Sequence, residues 1–332
     1  MDPVSHAIFG GIWAQAGAGR SRARVAAAAG GLAALAPDLD VLIRSTEDTL
    51  LQIQYHRHFT HALSFVPIGA MVVALVLWPL FRRWTGFARL YLFCLLGYLS
   101  HPFLDAVTSY GTYLLLPFSD HRSAWNTISV IDPLFTVPLI ALVIWGLWSQ
   151  RRRAFALAAA WAGVYLAFGA VQQYRAETAL IAWAADEGVE VQRRVAKPAF
   201  ANLVLWRGLV DDGRDLHVVA IRNVPMTSIR TWAGPRVARF DPAEFAADTR
   251  LGEDLRRFDH FSARWLARYP PYEDDSGWFV GDLRYAIDPA SDRPLWGVRF
   301  DSQDPDGHAE YTTPRQVTEE EREAFLRRLL NQ

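Results

Sequence analysis

Four apolar runs, each close to the length of a bilayer crossing, follow one another within about 110 residues in the first half of the chain. Residues 62–81 are twenty in a row without a charge. At about 1.5 Å of rise per residue, such a run spans a hydrocarbon core of about 30 Å. Residues 154–171 repeat the pattern, 133–148 do so in a slightly shorter form, and 90–107 carry His101 and Asp105 near their end. A soluble core accommodates one such helix. Four in succession, separated by arginine clusters, need a membrane. Two shorter apolar pieces, 5–18 and 25–36, flank Arg20, Arg22 and Arg24 and read as a helical hairpin packed on the spanning helices. Asp2 stands where a signal peptide would carry a basic residue.

The arginines orient the bundle. Clusters at 20–24, 82–89 and 151–153 share one face if the helices alternate, and the positive-inside rule makes that face cytoplasmic. The opposite face then collects His6, the Pro37-Asp38-Leu39-Asp40 turn, the 56–61 segment and the 101–132 region. The acids and histidines are thereby expected together, on the extracytoplasmic side.

From about residue 187 the pattern changes to short alternating segments at 189–195, 203–210, 216–222, 278–287 and 295–300. Asp211-Asp212-Gly213 is a hairpin signal, and 252–267 and 318–330 read as helices. The expected fold is therefore an α-helical multi-pass membrane domain, 1–173, with four spanning helices and the N-terminal hairpin. A soluble α+β domain, 174–332, follows and emerges on the outer face.

Composition narrows the chemistry. A net charge of -1 and a pI near 6.8 provide no field for nucleic acid. Cys94 is the single cysteine, which excludes a disulfide framework and a cysteine zinc ribbon within the chain. A metal must take histidine and carboxylate ligands. Six of the nine histidines fall in the first 121 residues: His6, His56, His58, His61, His101 and His121. Polar groups inside membrane helices are costly and usually functional. His101 and Asp105 stand four apart on one helix, although Pro102 between them can bend it. Asp38 and Asp40 sit two apart in a turn, where they can face one ion or simply cap a helix. Imidazole and carboxylate together suit Zn²⁺, Mn²⁺ or Fe²⁺.

The ordered set Ser5-His6, Pro37-Asp38-Leu39-Asp40, His56-Arg57-x-Phe59-Thr60-His61 and Gly97-Tyr98-Leu99-Ser100-His101-x-x-x-Asp105-x-x-Thr108 resembles the membrane-bound metal-dependent hydrolases. That family was long catalogued as a domain of unknown function. Some of its members are described as LexA-binding inner-membrane hydrolases. The resemblance covers roughly residues 1–172. The tail is similar to that of longer members through Asn202-Leu203-Val204-Leu205-Trp206-Arg207 and Val280-Gly281-Asp282-Leu283-Arg284-Tyr285. It implies His6, Asp38, Asp40, His56, His61, His101 and Asp105 as metal-site residues in an inner-membrane protein.

Seven ligands exceed what one tetrahedral ion takes. Two ions, or one ion with a neighbouring carboxylate, fit better, with zinc favoured and manganese or iron open. Asp40 or Asp105 is the expected general base, and spacing does not choose between them. Arg57 is placed to hold a phosphate, and a membrane phospholipid or lipid-linked phosphoester is the expected substrate. The rival readings are an intramembrane metalloprotease or amidase, a metal-binding transporter and a scaffold. No His-Glu-x-x-His occurs, and the polar residues gather at one face, not along a path across the bilayer.

Overall fold

The computed structural model describes residues 1–19, 22–273, 277–314 and 317–330. The chain divides into two compact units. The first comprises Met1–Leu42, Tyr55–Val171 and Phe200–Asn202; the second comprises Ile43–Gln54, Gln172–Ala199 and Leu203–Gln332.

In the first unit, α1 (Pro3–Ala14) starts where the Asp2 carboxylate accepts the Ser5 N–H at 3.0 Å, and Pro3 fills the first turn, where no N–H is needed. Helix α2 (Ala23–Leu35) returns antiparallel to it. After a short helix α3 (Leu51–Tyr55), which belongs to the second unit as far as Gln54, a 3₁₀ turn (Phe59–His61) leads to α4 (Val66–Phe81) and then α5 (Phe87–Ala106). Helices α1, α2 and α5 meet through Gly10, Gly30 and Gly97. A Cβ at Gly97 would overlap the Gly30 backbone, and one at Gly10 would overlap the Ala34 methyl and the Gly30 carbonyl. Small residues let membrane helices pack this closely. Asp132 caps α6 (Pro133–Ser149) at the Leu134 and Phe135 N–H groups, and the Tyr165 hydroxyl of α7 (Arg152–Asp186) donates to it at 2.9 Å.

Among the described residues, three segments are long and apolar enough to cross a membrane: Ala23–Leu42, Phe87–Ala106 and Arg152–Asp186. The broken pair Leu51–His61 and Val66–Phe81 makes a fourth if counted as one span. This departs from the expected list in two places. Helix α2 is extended by a 3₁₀ turn (Pro37–Leu42) and so reaches spanning length, whereas the sequence suggested only half a short hairpin. Helix α6, at 17 residues, remains short. The helical part of the 62–81 run begins only at Val66, because Ala62 is extended after the turn.

The arginines and the acid/histidine residues lie at opposite ends of the same helices. Arg24 opens α2, Arg82 and Arg89 flank the α4–α5 junction, and Arg152 opens α7. His6 is near the start of α1, Asp38 and Asp40 follow α2, and His101 and Asp105 close α5. Arg20 lies outside the described residues.

The boundary expected at residue 173 falls inside one continuous helix, since α7 runs on to Asp186. The second unit then forms two four-stranded antiparallel sheets. The first is β1 (Arg193–Pro198), β2 (Leu205–Asp211), β3 (Asp215–Arg222) and β4 (Arg230–Ala238). The Asp211-Asp212-Gly213 hairpin joins β2 to β3, with Gly213 at φ +96°. Helix α8 (Arg250–Phe261) separates this sheet from β5 (Leu266–Arg268), β6 (Trp278–Asp282), β7 (Gly297–Phe300) and β8 (Glu310–Thr312), and α9 (Glu319–Leu330) closes the element order. Strand β4 escaped the sequence pattern because it is an exposed edge carrying Gly234-Pro235. The helix expected over 252–267 stops at Phe261, where Ala263 and Arg264 take positive φ and the chain re-enters a sheet at β5. Residues 43–54, which the sequence placed among the membrane segments, join this unit: Arg257 donates to Asp48 and Gln54, and the Tyr311 N–H to the Thr49 hydroxyl.

Candidate metal centre

Three local structures deliver the ligand atoms. The 3₁₀ turn after α2 presents Asp38 and Asp40, the turn before α4 presents His61, and the last two turns of α5 present His101 and Asp105 on one face. Pro102 does not disrupt this pair, because α5 continues helically through it to Ala106. His101 Nε2 lies 3.3 Å from Asp105 Oδ2.

Asp38, His61, His101 and Asp105 form one group able to hold a metal ion. His61 Nε2 is 2.9 Å from His101 Nε2, and Asp105 Oδ2 is 3.2 Å from the first and 3.3 Å from the second. Asp38 Oδ1 is 3.6 Å from His61 Nε2 and 3.4 Å from His101 Nε2. Four ligands around a tetrahedral ion, with bonds of about 2.0–2.1 Å, stand about 3.3–3.4 Å apart. The five separations bracket that edge length.

The hydrogen bonds behind the rings sharpen the point. His101 Nδ1 faces the Ala34 carbonyl at 2.5 Å, an acceptor only, so the ring proton sits on Nδ1. His61 Nδ1 faces the Thr60 hydroxyl oxygen at 3.0 Å and Asp40 Oδ2 at 3.3 Å; Thr60 already donates to Asp40, so both neighbours accept. In the neutral rings both Nε2 atoms therefore carry lone pairs, and they point at each other and at two carboxylate oxygens. Asp105 Oδ2 is buried and takes no hydrogen bond; the Arg57 Nε, 3.2 Å away, faces this one oxygen and leaves the two Nε2 atoms and Asp38 without a cation of their own among the described residues. Four converging electron pairs in a buried site call for a cation. A histidine whose second nitrogen donates to a carbonyl or carboxylate is the usual arrangement of a metal ligand.

The YdjM inner membrane protein family matches this chain over residues 1–176, the part that holds every one of these ligands. The chain belongs to that family. Two relatives align with stretches of similar length. YfhP of Bacillus subtilis (strain 168), described as an uncharacterized protein, is 33% identical over 111 residues, 33% of each chain. The inner membrane protein YbcI of Escherichia coli (strain K12) is 39% identical over 108 residues, 31% of this chain and 60% of YbcI. The aligned regions thus cover less than two thirds of either relative. No solved structure matches. This YdjM-family chain is an inner membrane protein.

Around the four-atom group, the remaining expected residues of this family member take distinct places. Asp40 is buried and accepts from the Arg57 backbone N–H at 2.8 Å and the Thr60 hydroxyl at 3.0 Å, while its other oxygen meets His56 Nδ1 at 2.8 Å. Asp38, Asp40 and His56 make a second group able to hold a metal ion, so Asp38 is common to both groups. His6 is stacked on His101 with ring centroids 3.6 Å apart, and its Nε2 lies 3.1 Å from the outer oxygen of Asp105, which also meets the Met1 amino group. His6 thus stands behind the Asp105 carboxylate and outside both groups. Arg57, expected at a phosphate, is only 4% exposed; its Nε lies 3.2 Å from Asp105 Oδ2 and its Nη1 donates to the Thr108 hydroxyl at 3.0 Å. Its backbone φ of +63° is what turns the side chain's attachment point inward while its N–H reaches Asp40. His121 is exposed.

Sequence reasoning gave no role to Thr60, to Thr108 or to the Ala34 carbonyl. The two threonines lie within the quoted spacing pattern and carried that much signal. A backbone carbonyl carries none.

Proposed function

We propose that this protein is a metal-dependent hydrolase of the inner membrane that cleaves a phosphoester in a membrane lipid, with zinc as the metal. The observation that carries this reading is the tetrahedral set of lone pairs on Asp38, His61, His101 and Asp105, with Asp38 27% exposed and the other three side chains sealed. Asp38 is the one ligand that reaches solvent, so a water and a substrate would enter beside it, either displacing Asp38 to leave three protein ligands or adding a fifth. A divalent ion held there supplies Lewis-acid polarisation and a water of lowered pKa.

The chain's own residues then divide the work. His61 and His101 are oriented by Asp40 and the Ala34 carbonyl. Arg57, held by Thr108, keeps Asp105 turned into the group and acts as a positioning residue. Asp105 gives its Oδ2 to that group, which leaves Asp40 of the two expected bases. As base, Asp40 would act through His56: the Nδ1 proton passes to Asp40 Oδ1 across the 2.8 Å contact while Nε2 of His56, at 25% side-chain exposure, takes the proton of the attacking water. The reverse transfer delivers a proton to the leaving oxygen. The helix ends that bear these residues are opposite those that bear the arginines. This supports an extracytoplasmic site at headgroup depth, where an amphiphilic substrate is at hand.

The test is incubation of metal-loaded protein with total membrane lipid, followed by mass spectrometry, against Asp40→Asn and His101→Ala. A lipid phosphoester consumed by the wild type alone, and blocked by chelator, is the expected result. Metal-dependent turnover of a peptide or amide with every lipid unchanged would replace the phosphoester assignment.

A further inference from the structure

A groove of about 450 Å³ runs between α1, α2 and α6, and its walls include none of the metal-site residues described above. Its walls are largely apolar, with small residues along the α1–α2 seam, Gly11, Ala28 and Gly31 among them, and larger ones, Ile8, Leu32 and Leu35, beside them. The reason it exists is local. A Cβ at Gly31 would press on the Ala7 carbonyl and one at Gly11 on the Ala27 carbonyl, so close α1–α2 packing demands small residues along this seam. The same small residues leave a recess between the larger Ile8, Leu32 and Leu35 side chains and α6. From Arg24 to Leu35 the groove follows α2 for about 16 Å at the helical rise.

One end of this groove is charged. Arg24 stands there, exposed, and its Nε donates to the Leu147 carbonyl at 3.4 Å, across the mouth and onto the C-terminal end of α6. That contact uses Nε and leaves the terminal nitrogens of this exposed side chain available. No carboxylate pairs with Arg24 among the described residues. Arg152 at the start of α7 donates to the Ala18 carbonyl, so a second cation is anchored where α1 ends.

We propose that this groove is a binding site for an anionic phospholipid of the arginine-side leaflet, one acyl chain lying along α1, α2 and α6 and the phosphate held by Arg24. The groove offers almost no polar partner, so water does not fill it stably. An acyl chain does, by dispersion contact with the small-residue walls. Because the bilayer is as apolar as the groove, burial of the chain alone confers little selectivity. The headgroup confers it: the guanidinium's planar fork holds the phosphate oxygens, and a headgroup without a cation of its own leaves their charge unopposed beside Arg24. The phosphate would sit at Arg24 and Leu147, at the helix ends opposite those that bear the His/Asp cluster, so this lipid is not the substrate, and the proposal stands whether or not the hydrolase reading does. Helices α1 and α2 also carry His6 and the Ala34 carbonyl, so a lipid wedged against them braces the seam behind the metal-site residues.

The experiment uses the full chain reconstituted in vesicles of phosphatidylcholine and phosphatidylglycerol, extracted in mild detergent and washed, with retained lipid read by native mass spectrometry. Wild type is expected to keep phosphatidylglycerol over phosphatidylcholine by about tenfold, because both offer the same phosphate but only phosphatidylcholine brings a headgroup cation toward Arg24. Arg24→Gln, a change at an exposed position, should abolish that preference, and Arg24→Lys should restore part of it. Ala28→Phe, which fills the groove from an exposed helix position, should lose both lipids while circular dichroism stays that of the wild type. Equal retention of the two lipids by wild type, or an unchanged preference in Arg24→Gln, overturns the proposal. So does a wild-type dimer that Ala28→Phe converts to monomer with lipid retention unchanged, since a second copy would then be the occupant.

Discussion

His61 and His101 face each other Nε2 to Nε2 at 2.9 Å, each with its Nδ1 proton committed to an acceptor behind it. The Asp40 carboxylate behind His61 is therefore as much part of the centre as the ligand atoms. Asp40→Asn should weaken metal affinity about 10–100-fold, the usual loss when the partner behind a ligating histidine is removed. Competition against a chelator of known affinity measures it. Unchanged affinity would mean that His61 is held some other way.

Helix packing sets the same geometry from further away. The Gly30–Gly97 contact brings α5 close enough to α2 for His101 to reach the Ala34 carbonyl. Gly97→Leu should lower thermal stability in detergent by about 1–3 kcal/mol through overpacking, and bound metal should fall with it. Gly163→Leu, with nothing within 4 Å of its Cβ position, is the control and should leave both unchanged. Equal effects of the two substitutions would contradict the packing argument.

Much of this was legible in the sequence, for identifiable reasons. The arginine clusters could bring His6, Asp38, Asp40, His56, His61, His101 and Asp105 to one face, because charge asymmetry along membrane helices reports which ends lie together; their choice as ligands came from the family resemblance, and His6 stands outside both groups. The inward turn of Arg57 was not legible. It depends on one positive φ and on Thr108, and a lone arginine beside histidines reads equally as a headgroup contact. The extension of α2 to spanning length through Pro37–Leu42 was also hidden, since proline and two aspartates look like the end of a helix and not its continuation. In the second unit, β4 and β5 were lost for a common reason. Edge strands and three-residue strands carry too little alternation to register.

Another buried charge gives a pH prediction. Lys197 Nζ lies 3.0 Å from the centroid of the Tyr285 ring and has no hydrogen-bond partner among the described residues. Burial, then the Arg284 guanidinium, hold its amine well below the ordinary lysine range; Asp282 opposes this and Arg207 adds to it. The folded state thus binds this proton more weakly than the unfolded chain. Stability of the second unit therefore rises with pH from the depressed folded value up to about 10.4, where the unfolded lysine titrates. Lys197→Met should remove that slope and stabilise by about 1–3 kcal/mol at neutral pH, with the gain vanishing above pH of about 10.4. Hydrogen exchange of the β1 and β2 amides across this range measures it, and a variant no more stable than wild type at pH 7 would contradict it.

Orientation is tested by a reporter at the C-terminal end. The account places the second unit outside the cytoplasm, so a reporter active only in the periplasm should work there and one active only in the cytoplasm should not. The reverse pattern would invert the bundle and move the His/Asp cluster to the cytoplasmic face.

The central claim is that Asp38, His61, His101 and Asp105 converge on a metal ion, and metal analysis of the detergent-purified protein addresses it directly. Wild type should hold at least one divalent transition-metal ion per chain. Asp38→Ala, His61→Ala and His101→Ala should each lose it, while His217→Ala, whose ring pairs with Asp212 in the second unit, should retain it. Folded wild type that takes up no metal, or variants that bind as much as wild type, would contradict the account.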